Sequence, residues 1–243
     1  MFILKFSNCR VFVTPLVAAI EMVIIFHSLH AIPSIYNLGL NFIEYGVISS
    51  LILMGTLGSF FVHEYGHSLA ARWMRLPVRE INLSLLGAFT SVAEPPSPKA
   101  AFIISTAGPL VNILIGIILY AAHLVFKGSD IINTVCSCLS VFNVTFAAFN
   151  LLPVLPLDGG FIVRSAFWSA TSDLTWANQM SFNIATGFIL ICFLAGIISV
   201  FMLHPVVSVI FFIVGLSLWQ SEKSVYRQML GASFWNMMNP KNL

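Results

Sequence analysis

Long apolar runs dominate the sequence and decide what it can fold into. A helix that crosses a bilayer needs about 20 mostly apolar residues, and six runs meet that requirement: about 11–31, 46–73, 99–124, 132–157, 181–203 and 205–220. Only 8% of the residues are charged, whereas a soluble domain usually has about 25%. A water-soluble enzyme, a disordered chain and a basic-patch nucleic-acid binder are therefore disfavoured. The sequence predicts an all-α polytopic membrane protein with about six transmembrane helices.

The positive charges predict how these spans are oriented. If the N-terminus is cytoplasmic, ten of the 11 Lys and Arg residues fall on the cytoplasmic side, and Lys127 alone falls on the other. Cytoplasmic connections carry an excess of Lys and Arg, so we expect both termini in the cytoplasm. No small-residue cleavage site follows the first apolar run, so we interpret it as a retained span. The compact size favours a bacterial or archaeal plasma membrane.

The second apolar run contains the pattern HExxH, formed by His63, Glu64 and His67. Residues four apart share a helix face, so both imidazoles can reach one metal ion, with Glu64 placed to act on a nearby water. An ionisable residue at the centre of a span costs about 2.5–3.5 kcal/mol and persists where it faces a cavity, a partner or a metal. The pattern predicts a zinc site inside the membrane. The alternative is a pair of core histidines hydrogen-bonded to Glu64.

A catalytic zinc usually has three protein ligands and one open position, so a third ligand is needed. The four cysteines form no CxxC pair. Asp158 lies at the end of the fourth run, on the same predicted side of the membrane as the two histidines. It follows Pro156 and precedes Gly159 and Gly160, which let the backbone turn and aim a carboxylate at a neighbouring helix. The alternative, that Asp158 only caps the next helix, stays open at this point.

Three segments together resemble the site-2 protease family of intramembrane zinc metalloproteases. They are HEYGH on the second run, GPLVN from Gly108 to Asn112, and NLLPVLPLDGG from Asn150 to Gly160. The resemblance implies that one zinc ion is bound by His63, His67 and Asp158. It also implies that Glu64 is the catalytic acid and base, and that Asn150 contacts the substrate backbone or the oxyanion. Asn112 becomes a further candidate for substrate binding.

The resemblance also implies the domain organisation, the activity and the partners. We expect a single transmembrane metalloprotease domain over residues 1–243, with a catalytic core at about 46–170 and no PDZ, nucleotide-sensing or other soluble domain. The expected activity is cleavage of peptide bonds within or near transmembrane segments of membrane proteins. The expected partners are a membrane-spanning protein substrate and the lipid bilayer, without nucleic acid. Regulation would come from pre-cleavage of the substrate, a membrane partner protein or the membrane itself.

The segment between the second and third runs has a different pattern. Apolar and polar residues alternate from Ile81 to Leu85, Gly87 breaks the run, and Phe89–Val92 can form a second strand. We predict a short membrane-associated β-hairpin that dips toward the zinc and pairs by its edge with an unwound substrate. Asn82 in this hairpin is assigned to substrate binding. The alternative is an ordinary interfacial loop.

Other functions are compatible with parts of the sequence. A non-catalytic membrane scaffold or substrate-binding relative is disfavoured because the full set of candidate ligands and Glu64 is present. A transporter that uses Asp158 and Glu21 as a proton or cation path would be indifferent to zinc chelators. A prenyl-protein processing protease also uses HExxH, but its third ligand resembles a Glu that has no good counterpart here. Glu21 lies about mid-run in the first candidate span, with His27 and His30 further out. A second metal site, a water gate and polar pairing inside the bundle are all open for them.

Overall fold

The computed structural model describes residues 2–6, 9–13, 41–84, 87–92, 95–126, 130–202, 208–209, 211–216 and 218–219. The helices in this part of the chain are α1 (Phe42–Trp73), α2 (Pro98–Val125), α3 (Asp130–Asn150), α4 (Asp158–Thr171) and α5 (Leu174–Phe201). The strands are β1 (Phe2–Phe6), β2 (Cys9–Val13), β3 (Val78–Ser84) and β4 (Gly87–Val92). Short helical pieces are also described between residues 208 and 219. The protein is mostly helical.

Among the described residues, four helices are long and apolar enough to cross a bilayer, and they correspond to four of the six predicted runs. They are Gly46–Trp73, Pro98–Val125, Ile131–Asn150 and Leu174–Phe201. Their outer surfaces carry many exposed apolar side chains, such as Leu114, Ile117, Leu190 and Ile191. Contiguous apolar surface of this kind needs an apolar surrounding. The chain is therefore an integral membrane protein.

The two remaining predicted runs lie largely outside the described residues. Of the run at about 11–31, residues 11–13 belong to β2, and residues 14–31 fall outside the described part of the chain. Of the run at about 205–220, helical pieces at 208–209, 211–216 and 218–219 are described. The count of six spans therefore stays a prediction.

The fourth predicted run is shorter in the structure than in the prediction. The sequence pattern extends it to residue 157, but α3 ends at Asn150, and turns occupy the segment from Leu151 to the start of α4. Pro153 and Pro156 lie in that segment and provide no backbone donor for a continuing helix. The Leu155–Pro156 peptide bond is cis. The apolar composition of residues 151–157 therefore gave no indication that the helix ends at Asn150, although the two prolines do indicate it.

The helix that carries HExxH begins at a well-formed cap. The side chain of Asn41 accepts hydrogen bonds from the backbone N–H groups of Ile43 and Glu44, and Glu44 accepts one from the Asn41 N–H. This reciprocal capping box satisfies donors that a helix start leaves free. The far end of α1 is followed by Arg75, which has a positive φ of 62°. These two ends fix the length of the helix on which His63 and His67 lie.

The strands form one four-stranded sheet in the order β1-β2-β3-β4. β1 pairs antiparallel with β2, β2 pairs parallel with β3, and β3 pairs antiparallel with β4. Asn82 is opposite Phe89 in the β3–β4 pair, and both of these strands contact α1. The fold-class prediction included the hairpin but not β1 and β2, and β2 overlaps the start of the first apolar run. Whether β3 and β4 lie in the membrane stays a prediction.

The chain divides into two compact units. One comprises residues 1–95 and 107–149, and its buried cluster contains Ile48, Ile52 and Leu139. The other comprises residues 96–106 and 150–243, and its buried cluster contains Val154, Leu155, Ala185, Ile189 and Leu218. HExxH belongs to the first unit and the PLDGG segment to the second.

Candidate metal centre

The predicted HExxH pair faces the interior of its unit. His63, Glu64 and His67 on α1 are exposed by 2%, 4% and 7%. The Nε2 atoms of the two imidazoles are 3.2 Å apart, and the rings are inclined by 82°. Two nitrogen ligands of a tetrahedral zinc with bonds of about 2.0–2.1 Å lie about 3.3 Å apart. The imidazoles are therefore spaced to bind one ion, as their i, i+4 positions predict.

Gly108 on α2 leaves the space into which both imidazoles point. A Cβ atom at this position would overlap Nε2 of His67 and lie 2.8 Å from Nε2 of His63. Any side chain here would therefore occupy the volume that a shared ion needs. The sequence motif GPLVN contains Gly108, but the spacing alone gave no indication of this steric role.

The same two helices also pack closely one position before His67. A Cβ atom at Gly66 of α1 would lie 3.2 Å from the carbonyl oxygen of Ala107 and 3.1 Å from Val111 on α2. Small residues allow such close approach between helices in membranes. Gly66 permits this close approach because it has no side chain. The approach brings Gly108 of α2 up to the imidazoles.

Asn112 lies next to His63, on the side of its Nδ1 atom. Its side chain is fully buried. Its Oδ1 is 2.7 Å from Nδ1 of His63, and its Nδ2 donates to Oδ1 of Asn143 at 2.8 Å. Both ends of the amide are thus engaged inside the protein, and a role of Asn112 in substrate binding stays a prediction.

Asn143 extends this hydrogen-bonded chain to a third helix. From α3 its Nδ2 donates to Oγ of Ser59 at 3.0 Å and to the carbonyl oxygen of Leu139 at 2.8 Å. Oγ of Ser59 in turn donates to the carbonyl oxygen of Gly55 at 2.8 Å. Sequence reasoning missed Asn143 and Ser59. The available signal for Asn143 in the sequence was an Asn within an apolar run, since a polar side chain buried there needs partners.

Asp158 is the first residue of α4 in the second unit. The cap position is occupied by Leu157, which makes no side-chain capping bond, so Asp158 is not the N-cap residue that the alternative interpretation required. A Cβ atom at Gly159 would overlap the carbonyl oxygens of Leu151 and Leu152. One at Gly160 would lie 2.5 Å from the backbone nitrogen of Leu155. The glycines thus let the helix start pack against the preceding turn, and no positive φ is involved.

Two further candidate residues, Asn150 and Asn82, lie in the described part of the chain. Asn150 is the last residue of α3 and is half-buried. Asn82 lies within β3. Glu21, His27 and His30 are outside the described residues.

Taken together, these features define an integral membrane protein with a buried HExxH metal site. The model of the family described as Peptidase family M50 matches residues 51–137 and 127–194. This chain belongs to that family.

Curated relatives with names are also similar to this chain. A Synechocystis protein, a candidate zinc metalloprotease by its name, is 30% identical over 75% of this chain and 48% of its own length. A zinc metalloprotease of Methanocaldococcus jannaschii is 29% identical over 67% of this chain and 47% of its own length. Stage IV sporulation protein FB of Bacillus subtilis is 27% identical over 69% of this chain and 56% of its own length. The chain thus spans about half the length of these relatives.

A solved structure shares the fold. The site-2 protease from Methanocaldococcus jannaschii superimposes with a TM-score of 0.58, and the match covers 91% of this chain and 94% of that one. The two sequences are 23% identical. This similarity establishes a site-2 protease fold for the chain.

The donor atoms of these residues suit zinc. Imidazole nitrogen and carboxylate oxygen are ligands that zinc takes in catalytic sites, and the spacing of His63 and His67 suits one tetrahedral ion. The room left at Gly108 matches an ion shared by both rings. Together with the family, these observations support one zinc ion as the cofactor.

Proposed function

We propose that the protein is an intramembrane zinc metalloprotease that cleaves peptide bonds within or near transmembrane segments of membrane proteins. The observation that carries this proposal is the buried His63–Glu64–His67 constellation on a membrane-spanning helix, with the two Nε2 atoms 3.2 Å apart. The family and the names of the relatives support the same chemistry. A non-catalytic scaffold would not need Glu64 beside two metal ligands.

Asp158 is the proposed third ligand. The choice rests on the sequence, in which Asp158 belongs to the segment NLLPVLPLDGG that resembles the family, and Pro156, Gly159 and Gly160 allow its carboxylate to turn toward a neighbouring helix. Two histidines and a carboxylate with one open position are a common ligand set of catalytic zinc. The location of Asp158 in the first turn of α4 also favours a charged carboxylate, because the N-terminus of a helix carries partial positive charge.

The residues of the site divide the work of hydrolysis. Zinc, when bound, supplies Lewis-acid polarisation and makes water nucleophilic at neutral pH. A carboxylate oxygen of Glu64 takes a proton from the attacking water and passes it to the nitrogen of the leaving amine. Nδ2 of Asn150 donates a hydrogen bond to the developing oxyanion, a contact of a kind worth about 3 kcal/mol.

The substrate is proposed to be a spanning helix that unwinds before cleavage. Its carbonyl groups are bonded within the helix, and once freed they need partners where water is absent. Among the described strands, β3 is paired on both sides, so β4 offers an edge for the substrate strand. Asn82 on β3 would then help to bind the substrate from within the hairpin.

The proposed arrangement in the membrane follows the charge distribution. Six spans with both termini in the cytoplasm place ten of the 11 Lys and Arg residues on the cytoplasmic side. We propose a bacterial or archaeal plasma membrane as the location. We further propose one transmembrane protease domain, regulated by substrate pre-cleavage, a membrane partner or the membrane itself.

The test is cleavage of a panel of single-span substrates by protein purified in detergent. Wild type should cleave at least one substrate, and a zinc chelator should stop the reaction. Glu64→Gln should bind zinc without cleaving, and Asn150→Ala should cleave slowly. Cleavage by Glu64→Gln at the wild-type rate would refute the protease proposal. Full turnover by Asn150→Ala would refute only the oxyanion role.

A further inference from the structure

The hydrogen-bonded chain behind His63 joins three helices. It comprises His63 and Ser59 on α1, Asn112 on α2 and Asn143 on α3. All four side chains are buried, and Asn112 and Asn143 are fully buried. Each link is between 2.7 and 3.0 Å long. A buried amide that lacked partners would be costly, so the chain acts as a connected unit.

Two backbone carbonyl groups determine the direction of every bond in this chain. The carbonyl oxygen of Leu139 can only accept, so the amide nitrogen of Asn143 must face it. The carbonyl oxygen of Gly55 likewise takes the hydroxyl proton of Ser59, which leaves the Ser59 oxygen to accept from Asn143. Both hydrogens on Nδ2 of Asn143 are then used, and its Oδ1 must face Asn112.

The direction is passed on to the imidazole. Because Oδ1 of Asn143 accepts, the amide nitrogen of Asn112 must face it, and Oδ1 of Asn112 must face His63. An amide oxygen only accepts, so Nδ1 of His63 must carry the proton. The lone pair of the ring is then on Nε2, the atom that faces His67.

We infer that Asn143 is a positioning residue that, through Asn112, holds His63 in the Nδ1–H tautomer with the Nε2 lone pair directed at the metal position. This inference rests on the proposed zinc site. In this role Asn143 acts through Asn112. It prevents the Asn112 amide from rotating and presenting its NH₂ group to His63. Polar partners of metal-binding histidines typically change metal affinity 10- to 100-fold when they are removed.

The first measurement is the tautomer of His63 in zinc-free protein, read from the ¹⁵N NMR shifts of labelled histidine and assigned with His63→Gln. Wild type should show a protonated Nδ1. Asn143→Leu, close in volume, and Asn143→Ala should both shift population toward the Nε2–H form, because the Asn112 amide is released. This measurement needs neither zinc nor cleavage, so it separates failure of this inference from failure of the protease proposal.

The second measurement is zinc affinity by chelator competition in detergent. Asn143→Leu and Asn112→Leu should each weaken zinc binding about 10- to 100-fold. The double variant should be no weaker than Asn112→Leu, because Asn143 acts through Asn112. Ser59→Ala should lose less than Asn143→Leu, since the carbonyl oxygen of Leu139 still orients Asn143.

Ser140→Ala is the matched control. Ser140 lies on the same helix as Asn143 and is buried, and its Oγ donates to the Gly116 carbonyl oxygen of α2 at 2.8 Å. The variant loses an α3–α2 hydrogen bond without any link to His63, so it should keep both the tautomer and the zinc affinity. An unchanged His63 tautomer in both Asn143 variants, additive losses in the double variant, or an equal loss in Ser140→Ala would overturn the inference.

Discussion

At the residue scale, the metal centre depends on the absence of a side chain at Gly108. The two imidazoles converge on the backbone of α2 at this position, and a single methyl group would compete with the ion. Overpacking of an interior site costs about 1–3 kcal/mol. At this site the cost falls on the ion-binding conformation, because the contacted atoms are the ligand nitrogens.

We predict that Gly108→Ala weakens zinc binding about 5- to 150-fold, the range that corresponds to 1–3 kcal/mol. The measurement is chelator competition with the purified protein. Gly58→Ala on α1 is the control, because a Cβ atom there would meet nothing within 4 Å, and it should bind zinc as wild type does. Wild-type affinity in Gly108→Ala would show that the imidazoles bind metal elsewhere.

Residues on one helix were the easiest to predict from the sequence. The i, i+4 spacing of His63 and His67 fixes their shared face, and the structure has the pair buried as expected. The roles of Asn112 and Asn143 depend on contacts among three helices, and no spacing within one segment encodes them. Resemblance alone therefore proposed substrate binding for Asn112, and the structure adds its hydrogen bonds to His63 and Asn143.

At the scale of elements, the start of α4 depends on close packing against the turn before it. A Cβ atom at Gly159 would overlap the carbonyl oxygens of Leu151 and Leu152. These are backbone atoms and cannot rotate away as a side chain could. A larger residue must displace the helix start. Asp158 is the adjacent residue, so it would move as well.

We predict that Gly159→Ala lowers zinc affinity at least as much as Gly108→Ala and also lowers the midpoint of thermal unfolding. Both follow from displacement of the first turn of α4, and chelator competition and thermal scans measure them. Gly187→Ala on α5 is the control, since a Cβ atom there has no neighbour within 4 Å. A variant at Gly159 with unchanged affinity and unfolding would mean that the helix start tolerates the displacement.

The hairpin provides a prediction about substrate recognition. Successive N–H groups of an edge strand point alternately toward and away from its partner. Single proline substitutions along β4 should therefore destabilise the hairpin only where the N–H faces β3. If a substrate strand adds to this edge, prolines at the outward positions should also reduce cleavage while the protein stays folded. Wild-type cleavage at the outward positions would exclude strand addition at β4.

Elements with long apolar runs were predicted from the sequence more accurately than the short strands were. Runs of about 20 apolar residues predicted four spanning helices whose bounds the structure largely confirms. The end of α3 was misplaced because the turn that follows is as apolar as the helix. β1 and β2 were not predicted, since β2 gains its pairing from β3, which is distant in sequence, and β1 pairs with β2.

At the scale of the whole molecule, the membrane permits the chemistry and also constrains it. The low charge content disfavours a soluble enzyme, and the ionisable residues His63, Glu64 and His67 inside a spanning helix are therefore candidates for function. Family membership and the site-2 protease fold agree with this interpretation.

The central proposal is that one zinc ion is bound by His63, His67 and Asp158, with Glu64 as the residue that transfers protons. Zinc content and affinity of purified variants test it most directly. We predict one ion per chain for wild type and for Glu64→Gln, and loss of bound zinc in His67→Ala and in Asp158→Asn. Retention of a full equivalent of zinc at wild-type affinity by Asp158→Asn would contradict the account.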